Sequence, residues 1–171
     1  MKKDQFTIDT LYDTYREFYQ SYLMELENLK AVYAENGGSV NDFAWLVFQK
    51  ILEALAKSFQ NGKITDEYFY EKSRGVYGEM TLFQRRYENK KGNHTYKQFL
   101  LNDLLWNKAK SKKYRLNTIV ISLKGCCEYC DTQDEKSVPI EEAIKKQPLD
   151  AIKCTNSYGC RACYGYSIQD E

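Results

Sequence analysis

Apolar residues recur at intervals of three and four along most of the chain up to Lys110. Ile8, Leu11, Tyr15, Phe18, Tyr22, Leu29 and Val32 keep that spacing, and Tyr12, Tyr19, Leu26 and Tyr33 stand seven apart beside them. The pattern predicts one long amphipathic helix from Thr7 to Glu35, closed by Asn36-Gly37-Gly38. Its aromatic stripe suits internal core packing, an interaction face or a coiled-coil seam, and core packing is the simplest of the three.

Ser39-Val40-Asn41-Asp42 reads as a capping box that opens a second helix, with Phe43, Leu46, Val47, Ile51, Leu55 and Phe59 on one side. Asn61-Gly62 stops it. Thr65 or Asp66 caps a third helix towards Tyr87, and Gly75 and Gly78 predict a kink or break in its middle. After the polar turn Asn89 to Asn93, with Asn93 as the expected cap, Tyr96, Phe99, Leu100, Leu104 and Leu105 mark a fourth helix ending near Lys110.

The periodicity changes at Leu116. Leu116 to Leu123 is rich in β-branched residues and predicts a strand. Pro139 to Lys146 predicts a short helix, with proline and acids early and lysines late. Pro148 ends it, and Tyr164 to Ile168 returns as a second strand. The expected architecture is therefore mainly α: a helical bundle over residues 1–115, then a small α+β module over 116–171.

Composition refines this picture in three ways. A hydrophobic fraction of 43% within 171 residues allows a true core. Fifteen tyrosines suit small helical packing and protein-contact surfaces alike. The N-terminus shows no apolar run after its lysines, and no stretch has the length of a membrane span. The expected compartment is thus the reducing cytoplasm, where clustered cysteines serve as metal ligands more readily than as disulfides.

All six cysteines lie between Gly125 and Tyr164. Cys127/Cys130 and Cys160/Cys163 are C-x-x-C pairs, with Cys154 close to the second. Zinc takes four thiolates or imidazoles in a tetrahedron, and a C-x-x-C turn supplies two sulfurs along one edge. The preferred ligands are Cys127, Cys130, Cys154 and Cys160, with Cys163 a rival for the fourth place. Cys126 adjoins Cys127 and is left out because its side chain should point elsewhere. An all-thiolate site is closed, so structural Zn2+ is expected rather than catalytic zinc, which keeps a position open for water. A thioredoxin-like use of Cys127 and Cys130 would need a βαβ setting that the preceding helices do not provide.

The net charge of +1 hides a basic stretch. Between Arg85 and Arg115, lysines and arginines far outnumber Glu88 and Asp103. Arg85, Arg86, Lys108, Lys110, Lys112, Lys113 and Arg115, interleaved with Tyr87, Tyr96, Trp106 and Tyr114, are the candidate nucleic-acid contacts; a solvated basic face is the plainer alternative. His94, the sole histidine, reads as a surface residue at a helix start. Asp131, Asp134, Glu135, Glu141 and Glu142 offer oxygen ligands for a hydrolytic metal, or simply a solvated loop and helix face.

The block Cys127-Glu128-Tyr129-Cys130, Lys136, Ile140-Glu141-Glu142-Ala143, Pro148-Leu149, Cys154-Thr155-Asn156, Gly159-Cys160-Arg161 and Tyr164 resembles a small cysteine module of phage and prophage proteins of mostly unknown function. More distantly, it is similar to the C-terminal module of the Mu gpF-type phage minor head proteins. Glu135 stands where that pattern has a glycine before the lysine, and Cys160-Arg161-Ala162-Cys163 replaces its Cys-Arg-Cys. The resemblance covers only the C-terminal module. It implies a phage or mobile-element origin, hence a bacterial host cytoplasm, and a zinc-knuckle-like fold, with no established activity to carry over.

These observations together point to a non-enzymatic interaction or assembly module, or an inhibitor of host defence, with a structural zinc site and a protein partner. A nucleic-acid-binding regulator using residues 85–115 is the alternative, and a metal-dependent nuclease relying on Asp131 and Asp134 the weaker one.

Overall fold

A computed structural model describes residues 7–36, 38–125 and 127–168. The structure is mainly helical up to Lys110, followed by a small α+β module that carries the cysteines. Two compact units, Met1–Glu53 and Ala54–Glu171, divide the chain.

In the first unit, the single long helix expected from the periodicity is two helices, α1 (Ile8–Gln20) and α2 (Leu26–Asn36). The hydroxyl of Thr7 caps α1 by accepting the N–H of Thr10 at 3.2 Å. The helix ends in a Schellman arrangement. Met24 N–H bonds the Tyr19 carbonyl and Leu23 N–H the Gln20 carbonyl, both at 3.0 Å, with Leu23 left-handed at φ 56°. Glycine normally takes that position, so no breaker signals the turn.

The third helix, α3 (Val40–Gln60), starts at the expected capping box, where Ser39 Oγ accepts the N–H of Asp42 at 3.1 Å. Tyr12, Tyr15 and Tyr19 of α1 are buried, and Tyr15 meets Phe48 edge-to-face at 6.3 Å. The tyrosine stripe is thus core, and these rings are not available as a partner surface.

In the second unit, α4 (Asp66–Tyr87) is capped by Thr65, as expected, and runs unbroken through Gly75 and Gly78. At Gly78 a Cβ would lie 3.4 Å from the Phe99 ring of α5 (Asn93–Lys110). The glycine makes room for that ring, and the packing gained there offsets its poor helix propensity. Asn93 is not the cap of α5: Gly92, left-handed at φ 65°, holds that position.

The sheet has the order β2-β1-β3 and is antiparallel throughout. Its central strand β1 (Leu116–Ile121) pairs with β2 (Ser137–Pro139) and β3 (Cys163–Ile168). Thr118 and Val120 alternate inwards, and Tyr164 and Tyr166 stand opposite Val120 and Thr118. Two short helices, α6 (Glu128–Gln133) and α7 (Ile140–Lys146), and a 3-10 turn at Ala151–Lys153 complete the module.

Leu100 and Leu104 of α5 share one core with Val120, Ile140, Leu149 and four cysteines. The compact units therefore do not part at the change of composition near Leu116. The apolar face of α5 needs cover, and the small module supplies it.

Candidate metal centre

The first cysteine segment is set by the turn that follows β1. Asp131 Oδ1 accepts the Ser122 hydroxyl at 3.1 Å, and its Oδ2 accepts the N–H of Gly125 at 2.9 Å. Asp134 Oδ1 accepts the N–H of Ser122 at 2.7 Å. Both carboxylates thereby tie β1 to α6 and bring the chain to Cys127 in extended conformation, immediately before α6. Cys130 lies one turn into the helix, which puts both sulfurs on one side.

Aromatic hydroxyls set the second segment. Tyr129 Oη donates to the Pro148 carbonyl at 3.0 Å and accepts the N–H of Asp150 at 3.2 Å. Tyr164 Oη accepts the N–H of Leu149 at 3.1 Å. Asp150 Oδ1 then caps the 3-10 turn through Ile152 N–H at 3.2 Å, and Cys154 follows directly.

The sulfurs of Cys127, Cys130 and Cys154 all lie within 4.8 Å of one another, and all three residues are buried. Cys160, fully buried, has its sulfur 3.8 Å from that of Cys130. A tetrahedral zinc–thiolate site has sulfur–sulfur edges of about 3.8 Å, given zinc–sulfur bonds near 2.3 Å. The donor set therefore suits a metal ion that takes thiolates. Cys160 and Cys163 both stand outside the three-sulfur group, Cys160 adjoining it through Cys130 and Cys163 half-buried on β3 opposite Ile121, while Cys126 lies outside the described residues.

The electrostatics of the cluster are uneven. Burial raises the Cys127 thiol, but the N–H groups of Cys130 and Thr155 and the hydroxyl and thiol of Thr155 and Cys154 outweigh it and draw it down to about 6. The Thr155 N–H lies 3.3 Å from that sulfur. Burial pushes the Cys160 thiol up to about 11 and the Cys130 thiol higher still. A metal bound here would have to displace the protons of Cys130 and Cys160, so its affinity would rise with pH.

Helices α4 and α5 hold the second segment from outside. Asn93 Oδ1 accepts the N–H of Cys160 at 3.0 Å, and its Nδ2 donates to the Cys154 carbonyl at 3.3 Å. Arg85 donates to the Cys160 carbonyl at 2.8 Å and to the Lys91 carbonyl at 2.9 Å, with its guanidinium over the Tyr96 ring. Tyr96 Oη donates to the Ala162 carbonyl at 3.1 Å. None of these supports carries a motif. Asn93 and Arg85 lie more than sixty residues before the cysteines they hold, and only the polar turn between them hinted at exposure.

The basic residues expected to meet nucleic acid are dispersed in role. Arg85 is committed to the cysteine loop. Lys112 pairs with Asp66 at 3.2 Å, Lys108 approaches Glu141 at 4.0 Å, and the Lys110 ammonium lies 3.5 Å from the Trp106 ring centroid. Arg86, Lys113 and Arg115 are exposed, as is His94.

No helix among the described residues is long and apolar enough to cross a membrane. No family model matches the sequence, and neither a curated protein nor a solved structure matches it. The fold and site thus define a small helical protein with a buried cysteine cluster capable of holding a metal ion.

Proposed function

We propose that Cys127, Cys130, Cys154 and Cys160 bind one structural Zn2+, and that the protein is a non-enzymatic interaction or assembly module of a phage or mobile element. The observation that carries the metal reading is the convergence of three buried sulfurs, Cys127, Cys130 and Cys154, from segments some two dozen residues apart, with the buried Cys160 sulfur 3.8 Å from that of Cys130 as the proposed fourth ligand. Four thiolates would leave the ion no position for water, so its contribution is to join two loops that β1 and α5 position separately. The phage origin rests on the resemblance of the cysteine block.

The nuclease alternative loses its support at the carboxylates. Asp131 and Asp134 accept hydrogen bonds from Ser122 and Gly125 and so serve as loop ties.

Metal content and stability of protein purified under reducing conditions test the metal reading. We expect about one zinc per chain, and a loss of order in the second unit when a chelator removes it. Protein that never held metal and yet melts identically with and without added zinc would refute it. Affinity recovery from the native host then tests the assembly reading, with a stoichiometric protein partner as the expected result.

A further inference from the structure

We infer that the exposed loop face of the cysteine module binds single-stranded nucleic acid, with Tyr158 as the stacking platform. The proposal rests on the metal reading only in that a closed cysteine loop presents this face.

Two chain segments, 89–94 and 151–162, meet here. Lys91 Nζ reaches the Thr155 carbonyl at 3.4 Å, and Gly159 packs so tightly on the Lys91 backbone that a Cβ would stand 2.3 Å from its carbonyl oxygen. Ile152 joins Lys90, Lys91 and His94 in lining a cavity of about 310 Å³. The two segments carry Lys90, Lys91, Lys153 and Arg161 and contain no carboxylate. Glu88, the nearest acid before them, pairs with Lys90 at 3.1 Å, which leaves Lys91, Lys153 and Arg161 as the cations of the face, and Asp150 pairs with Lys97 at 3.2 Å. The face is therefore a cationic surface from residues distant in sequence, joining Lys91 of the basic stretch to Lys153 and Arg161 of the cysteine loop and leaving out Lys108 to Arg115.

Tyr158 is 73% exposed. One exposed aromatic is ordinary on a protein surface. What distinguishes Tyr158 is that the turn bearing it is fixed on both sides. Its N–H donates to Asn156 Oδ1 at 2.8 Å, and the next N–H, of Gly159, donates to the Asn156 carbonyl at 3.1 Å. Gly159 is pinned against α5's leading turn, and Cys160 is held by Asn93 and Arg85. The backbone that carries the ring is thus ordered before binding, with the Arg161 guanidinium 5.9 Å from the ring centroid.

An exposed aromatic on an ordered turn, flanked by cations, suits an unpaired base beside its phosphates, since every base has a face to stack and every linkage a charge to neutralise. Neutralising the thiolates does not require these cations. The half-buried Arg85, hydrogen-bonded to the Cys160 carbonyl, is better placed for that.

The test uses the full chain, its metal content measured beforehand, and fluorescein-labelled oligo(dT) and oligo(U) followed by anisotropy. We expect binding that weakens steeply between about 50 and 200 mM salt. Tyr158→Ala should weaken it about 5- to 100-fold, and Tyr158→Phe should leave it intact. Lys153→Gln and Arg161→Gln should each flatten the salt dependence, by about 0.7 in log–log slope. The inference is overturned if neither oligonucleotide binds, or if Tyr158→Ala binds like the parent with unchanged metal content. It is equally overturned if polyglutamate binds as tightly, which would assign the face to an acidic protein. Binding by a preparation shown to be metal-free would uphold this surface and remove the metal reading instead.

Discussion

The side-chain oxygen of Asn93 accepts the backbone N–H of Cys160 at 3.0 Å, across a separation of sixty-seven residues. The same side chain donates to the Cys154 carbonyl, so one amide at the start of α5 fixes both ends of the second cysteine loop. Asn93→Ala removes both bonds and leaves half-buried polar groups unpaired. We expect a loss of about 1–3 kcal/mol in unfolding free energy and about 10- to 100-fold weaker zinc retention against a competing chelator. Unchanged retention would show that the loop closes without help from α5.

Cysteine variants separate the two candidates for the fourth ligand. Cys127→Ser, Cys130→Ser, Cys154→Ser and Cys160→Ser should each release the metal and destabilise the second unit, with α5 affected through the core it shares with the cysteines. Cys163→Ser should retain full zinc content, because it is the buried Cys160 sulfur that lies 3.8 Å from that of Cys130, while Cys163 is only half-buried on β3. Metal analysis after gel filtration reads both outcomes, and loss of zinc in Cys163→Ser alone would reverse the assignment.

The metal-free protein should have a stability maximum in the alkaline range. The folded Cys127 thiol ionises near 6, against an ordinary value of 9.0. Its contribution is complete above about 9, is withdrawn as the pH falls towards 6, and is absent below that. Cys160 acts in the opposite sense. Its thiol, raised to about 11, stays protonated in the folded state while the unfolded chain ionises, so stability falls again from about 9 to 11. Denaturant midpoints of chelator-treated protein across this range check both limbs. A flat profile between 6 and 9 would remove the proposed hydrogen bonds to Cys127.

Glu135 occupies the left-handed region at φ 60°. An L-residue pays about 1–2 kcal/mol for that conformation. Its exposed pair with Lys124, at 3.7 Å, returns little. Glu135→Gly should therefore raise stability by about 1 kcal/mol with zinc content unchanged, as read from equilibrium unfolding.

Gly159 and Gly125 are both left-handed, at φ 87° and 80°. They differ in surroundings: a Cβ at Gly159 would strike the Lys91 carbonyl, and one at Gly125 would meet nothing within 4 Å. Gly159→Ala should thus cost clearly more than Gly125→Ala, which carries only the conformational strain of about 1 kcal/mol. Equal losses in thermal unfolding would mean that α5 and the cysteine loop are less tightly seated than described.

The helices and strands were legible where a local cause acted. Ser39 and Thr65 cap their helices as their positions foretell, and the β-branched run from Leu116 forms the central strand. The break at Leu23 was hidden, because Tyr12, Tyr19, Leu26 and Tyr33 keep their spacing across it and no glycine marks the turn. The kink expected at Gly78 is absent, because Phe99 fills the space that the missing side chain leaves. Similarly, α6 is too short for its periodicity to register.

The cysteine spacing alone put Cys127, Cys130 and Cys154 among the candidate ligands, since thiolate chemistry and C-x-x-C geometry are local properties of the chain. Which sulfurs meet, which cations remain free, and that Asn93 and Arg85 hold the loop were settled only by folding. These depend on α5 burying Leu100 and Leu104 against the module, a contact between residues too distant in sequence for any local pattern to encode.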